Sequence, residues 1–289
     1  MWAARAAPYD PVMSGARRIA FVLGGGGDLG ANEVGMLRAL LERGILPDLV
    51  LGASVGAMNG AAVAAEPSVA MVGRLEAAWR QLSSEGVLSS PWQVAGNVLR
   101  GRSHLHSNAR LRAVVQRMLP VATFEQLAVP FQCVAASIER AAEHWFSAGP
   151  LVDAILASAA VPGLFPVVEV GGEHFLDGGI VNSIPVSRAL ALGATEVFVL
   201  QVGRIERTLQ VPRNLYQVMT VAFEIARRHR FAHDMAALPE GVAAHVLPTG
   251  DDDPGGGVGL RTWDLAAVNH RIARAYETTA SYLDQLAEG

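Results

Sequence analysis

The chain has 289 residues, 51% of them hydrophobic and 17% charged, which is enough apolar material to bury a large core and too much for a disordered chain. Its 23 Lys plus Arg against 27 Asp plus Glu leave a net charge of −4, which excludes the basic footprint of a nucleic-acid binder. Every one of those cations is Arg, so neither a Schiff-base lysine nor a Walker-type phosphate lysine is available.

Residues 1–18 mix Ala, Pro, Tyr, Asp and Gly without period and read as a leader. Arg17-Arg18 before Ile19-Ala20-Phe21-Val22-Leu23 has a signal-peptide flavour, but the apolar run is short and ends in glycines, so it reads as a first strand. A β-turn-α-β-turn-α series follows: strand 19–23, the turn Gly24-Gly25-Gly26-Gly27-Asp28-Leu29-Gly30, a helix over about 31–43, a strand at 48–52, a turn at Ser54, and a helix at 55–65. Parallel strands joined by right-handed crossovers are implied. Residues 67–128 read as a mostly helical insert with breaks at 83–86 and 89–92.

Strands return at 129–137 and 143–147, then come a helix over about 150–160 and a hairpin at 167–176 turning at Gly171-Gly172. Beyond Asp177 the pattern gives a helix at 185–192, a strand at 196–200, an amphipathic helix at 214–235, a strand at 243–247 and a closing helix at 263–287. The expected fold is α/β, a three-layer α/β/α sandwich on a mostly parallel sheet. Residues 210–289 would supply a last strand and helices packed on the same domain. Cys133, lone and in an apolar run, reads as a buried structural thiol suited to a reducing cytoplasm. No run approaches the ~18 apolar residues of a membrane span.

Three pieces carry chemistry. In Gly52-Ala53-Ser54-Val55-Gly56 a serine sits between a strand and a helix, where its oxygen stands exposed at the strand's carboxyl end; the bland alternative is a helix-capping serine. The glycine turn also satisfies Gly25-x-Gly27-x-x-Gly30, the dinucleotide fingerprint. That reading needs an acid at the end of the second strand, and Asp48 begins the strand instead. An oxyanion site fed by backbone amides is therefore favoured. Asp177-Gly178-Gly179 supplies a carboxylate where no histidine has a comparable setting, although the same residues can form a plain Asx turn. His174 lies three residues back along an extended strand and points the other way.

The remaining candidates read as ordinary surface. His104 and His106 belong to the face of the insert, and His229 and His233 share a polar helix face on which a metal pair is an outside reading. Asp251-Asp252-Asp253 lacks the alternating spacing of a calcium loop. Trp92, Val94, Val98 and Leu99 beside Arg100 and Arg102 form at most an interfacial patch.

In this order the three pieces resemble the patatin-like phospholipases, as do Ala157-Ser158-Ala159-Ala160-Val161-Pro162-Gly163-Leu164-Phe165-Pro166 and Asn182-Ser183-Ile184-Pro185-Val186, over about 19–209. The resemblance implies a serine acylhydrolase with a Ser–Asp dyad and no histidine. Ser54 would be the nucleophile and Asp177 the base. The oxyanion loop would be Gly25, Gly26, Gly27, Leu29 and Gly30, with Gly52 and Gly56 at the elbow and Gly178 and Gly179 in the acidic turn. It also implies a lipid or hydrophobic ester substrate, transient membrane-surface contact, and no cofactor or metal. A catalytically impaired acyl-binding or regulatory protein of the same fold is the alternative. Where such enzymes carry Arg or Lys before the last glycine of the loop, this chain has Leu29, preceded by Asp28. An acid pointing inward there would oppose a developing anion.

Overall fold

The computed structural model describes residues 17–85, 103–202, 205, 208–250 and 265–288. Residues 1–16 of the leader, the patch around Trp92 and the Asp251–Asp253 run lie outside the described residues.

Alternation along the first strand sets up the layers. In β1 (Ile19–Leu23), Phe21 and Leu23 enter one apolar cluster while Ala20 and Val22 enter another on the opposite face, as a strand covered on both sides requires. Parallel pairing joins β1 to β2 (Leu49–Ala53) and β7 (Glu196–Leu200), β2 to β3 (Phe131–Ser137), and β7 to β8 (Ala243–Val246). Antiparallel pairing adds β4 (Ala142–Phe146) and β6 (Glu173–Asp177) to β3, and β5 (Val168–Val170) to β6. Hydrogen-bonded neighbours thus follow the path β5-β6-β3-β2-β1-β7-β8, with β4 also on β3.

One face of this sheet is covered by α1 (Ala31–Glu42), α2 (Val55–Ala65), α3 (Val69–Glu85) and the long α9 (Leu265–Glu288). The insert also holds α4 (Ala109–Met118), whose Val114, Val115 and Met118 join the same core, as does α5 (Leu151–Ser158). The opposite face carries α7 (Val186–Ala191) and α8 (Leu215–Ala236), which contribute Val186, Ala189 and Phe231 to the second cluster. Asn214 caps α8 by accepting from the Gln217 amide.

The fit of α9 against α1 bears on the site. A Cβ on Gly35 would lie 2.2 Å from the Ile272 carbonyl oxygen, so the two helices meet backbone to backbone at a position only glycine can fill. That contact brings Arg271, the residue before Ile272, to Asp28 of the glycine turn. The short helix α6 (Gly179–Asn182) follows the acidic turn directly and is absent from the sequence expectations. Cys133 is fully buried on β3, and burial pushes its thiol up, as a structural cysteine would behave.

Among the described residues, no helix is long and apolar enough to cross a membrane.

Candidate active site

Strand β3 acts as a template for the site. Its two edges carry different partners: β4 runs along one, while β2 and then β6 share the other. Consecutive β3 residues Val134 and Ala135 therefore pair with Ala53, at the end of β2, and with Asp177, at the end of β6. Two strands arriving from opposite directions are stopped one residue apart. A Cβ on Gly178 would sit 2.1 Å from the Val134 carbonyl oxygen, so the turn after Asp177 lies tight against the template.

Ser54 occupies the sharp turn between β2 and α2 with φ 54° and ψ −121°, a left-handed backbone that a serine adopts only when its surroundings impose it. Close contact on both sides does so: a Cβ on Gly52 would meet the Gly56 carbonyl at 2.5 Å, and one on Gly56 would meet the Leu23 carbonyl at 2.4 Å. The Ser54 amide donates to Ser158 Oγ at 2.9 Å, which ties the turn to the end of α5. Although Ser54 stands at the N-cap of α2, its side chain makes no capping bond. It donates instead to Asp177 Oδ2 at 2.6 Å.

Asp177 is 1% exposed. Its Oδ1 accepts the Gly179 amide at 2.7 Å, so the Asx turn and the contact to Ser54 coexist, one on each oxygen. Burial pushes this carboxyl up to about 6, against the opposing pull of the Ser54 hydroxyl and the Gly179 amide. Gly179 also packs under the Phe223 ring of α8.

The glycine turn lies beside the serine, at the carboxyl end of β1. Gly25 donates its amide to the Ser183 carbonyl at 3.0 Å, and Leu29 donates to the Gly26 carbonyl at 3.3 Å, so both of these amides are engaged within the protein. Gly26 packs on Val202, Gly27 adopts φ 61°, and Gly30 abuts Val55 and Trp79. Beneath the turn, Asn59 donates to the Gly30 carbonyl and to Glu33 Oε2, and accepts from Trp79 Nε1 at 3.0 Å. Burial drives the Glu33 carboxyl well above the usual range. This network fixes the loop from below.

The acid at position 28 does face inward, being 3% exposed, and it is matched. Arg271 of α9 reaches it with Nη1 to Oδ2 at 3.0 Å, and the Arg271 side chain is itself 8% exposed. A cation 243 positions away thus sits beside a loop that carries no basic residue of its own.

Other sequence candidates fall elsewhere. Asp48 accepts from the Ile19 amide at the opposite edge of the sheet, so it holds no ribose at the glycine turn. His174 is exposed and bonds Glu139. His229 and His233 are exposed, and among the described residues no cluster of His, Cys, Asp or Glu is arranged to hold a metal ion. His106 corrects the expectation of a surface residue: it is buried, its amide and that of Leu105 bond the carbonyls of Leu164 and Gly163, and burial lowers the pKa of its ring.

An α/β/α sandwich with a left-handed serine at a strand-to-helix turn, hydrogen-bonded to a buried carboxylate beside a glycine-rich turn, defines the structural class. The model of the patatin-like phospholipase family matches residues 21–190, and the chain belongs to that family. It is 32% identical over 200 residues to a patatin-like phospholipase domain-containing protein of Caenorhabditis elegans, across 68% of this chain and 14% of that one. Identity is 29% over 191 residues to lysophospholipase nte1 of Aspergillus terreus, covering 66% of this chain and 12% of that one. It reaches 35% over 186 residues with an uncharacterized NTE family protein of Mycobacterium tuberculosis, covering 63% and 48%. The chain therefore aligns with no more than about half the length of these relatives.

Proposed function

We propose that the protein hydrolyses acyl esters of lipids, such as phospholipids, lysophospholipids or simpler hydrophobic esters, through a covalent acyl-serine. The observation that carries this reading is the 2.6 Å bond from Ser54 Oγ to Asp177 Oδ2. Family membership supports the substrate class.

In the first half-reaction Ser54 Oγ attacks the ester carbonyl carbon while its proton passes to Asp177. The carbonyl oxygen becomes an anion next to the amides of Gly26 and Gly27 and the positive amino end of α2, which starts at Val55. Each well-placed donor contributes about 3 kcal/mol to such an anion. Collapse breaks the bond to the alcohol, which leaves with the proton from Asp177. Water then attacks the acyl-serine with Asp177 again as base, releasing the fatty acid and restoring the hydroxyl. A carboxylate at its ordinary pKa is a poor base for an alcohol. Burial that lifts Asp177 to about 6 brings it closer to the operating pH while leaving it ionised above neutrality.

The test is a panel of phospholipids, lysophospholipids and p-nitrophenyl esters, with the Ser54→Ala variant as the blank. Hydrolysis is expected from the native protein alone. The rate should climb with pH through an apparent pKa near 6, because the base works only when ionised. A flat profile between pH 5 and 8, or an active blank, would contradict the reading.

A further inference from the structure

Ser183 closes α6 and faces the glycine turn. It is 2% exposed, and its hydroxyl has no hydrogen-bond partner among the described residues. A buried hydroxyl left unpaired is unfavourable, and native folds keep few of them without a use. Its position suggests one. A Cβ built on Gly25 would lie 3.1 Å from Ser183 Oγ and 3.3 Å from Ser54 Cβ, so the orphan hydroxyl and the Ser54 side chain flank one point above the turn. The backbone of Ser183 is anchored there as well, since its carbonyl accepts the Gly25 amide at 3.0 Å. That bond removes Gly25 from the amides able to meet an anion, and it sets a hydroxyl donor beside the same glycine.

We propose that Ser183 is a further catalytic residue of the acyl-ester reaction: its hydroxyl donates a hydrogen bond to the carbonyl oxygen of an ester under attack by Ser54, where the Gly25 amide is no longer free to do so. The proton stays on Ser183 throughout, and no bond to carbon forms there. The role rests on the Ser54–Asp177 reading. Being idle in the free protein and engaged at the tetrahedral stage, the hydroxyl lowers the barrier without tightening substrate binding. It should also leave a mark on stability opposite in sign to that of a structural hydrogen bond, because its removal relieves an unpaired buried group.

Ser183→Ala tests both marks with p-nitrophenyl butyrate and thermal unfolding. The expected result is kcat lower by roughly 10²-fold, the scale of a lost oxyanion donor, with KM within about twofold of the native value and Tm equal or higher. An unchanged kcat would overturn the role, and so would kcat and Tm falling together, which is the signature of a structural hydroxyl. Ser54→Ala, assayed alongside, separates the two failures. If that variant is silent and Ser183→Ala is fully active, only the role of Ser183 falls. If Ser54→Ala is itself active, the dyad falls and the role of Ser183 with it.

Discussion

Replacing Asp177 with Asn is expected to remove at least about 10⁴-fold of the hydrolytic rate while making the folded protein more stable above neutral pH. The rate falls because the amide has no basic oxygen to take the Ser54 proton, and among the described residues no other titratable group is bonded to that hydroxyl. Shape is kept: the side-chain oxygen can still accept the Gly179 amide as Oδ1 does now, while the new NH2 turns to Ser54. The stability gain follows from the burial of a charge. Asp177 titrates near 6 in the fold against 3.8 in an open chain, so the native state holds this proton more tightly. Unfolding free energy contributed by the group is therefore full below about pH 4, falls as pH rises through about 6, and stays low above it. A difference of this size corresponds to something on the order of 3 kcal/mol. Urea unfolding of the native and Asp177→Asn proteins should diverge at pH 8 and converge at pH 3.5. A variant less stable at pH 8 would mean that the carboxylate is held for structure.

The second large effect is expected at Arg271. Arg271→Ala breaks the buried ion pair with Asp28 beside the glycine turn, a change that typically costs about 3–5 kcal/mol. Loss of that cation also weakens the electrostatic support for the negative oxygen of the tetrahedral stage, so activity should fall even where the variant remains folded. Asp28→Asn combined with Arg271→Met removes both charges and should recover much of the stability, since a matched apolar or neutral replacement of a buried pair is often near neutral. Chemical denaturation midpoints for the single and double variants measure this directly. Equal stability of Arg271→Ala and the native protein would show the pair to be idle.

Arg271 also marks where sequence reading ends. The strands at 19–23 and 196–200, the helix at 55–65 and the hairpin turning at Gly171-Gly172 were legible because alternation, small-residue runs and paired glycines are local signals. Ser54 was legible as a candidate for the same reason, whereas Asp177 stood out only through the lack of a comparably placed histidine and through the resemblance. Apart from the Ser54–Asp177 pairing that the resemblance implied, the contacts between distant residues were not legible. The ion pair joins positions 243 apart. Ser158 holds the Ser54 amide from 104 positions away, and nothing in its helical run marks that hydroxyl from any other. His106 is buried against the expectation of a surface residue, and its segment is tied by backbone bonds to Gly163 and Leu164, more than 50 positions on. The template role of β3 belongs to the same class: Val134 and Ala135 are ordinary strand residues until Ala53 and Asp177 are paired with them.

The central claim is that Ser54 is a nucleophile activated by Asp177. A fluorophosphonate probe followed by intact-mass measurement and peptide mapping tests it most directly, because the probe bonds only to an activated serine and reports the residue it finds. A single adduct on Ser54, absent from Ser54→Ala and strongly reduced in Asp177→Asn, is the predicted result. Folded native protein that stays unlabelled, or that carries the adduct on another serine, would contradict it.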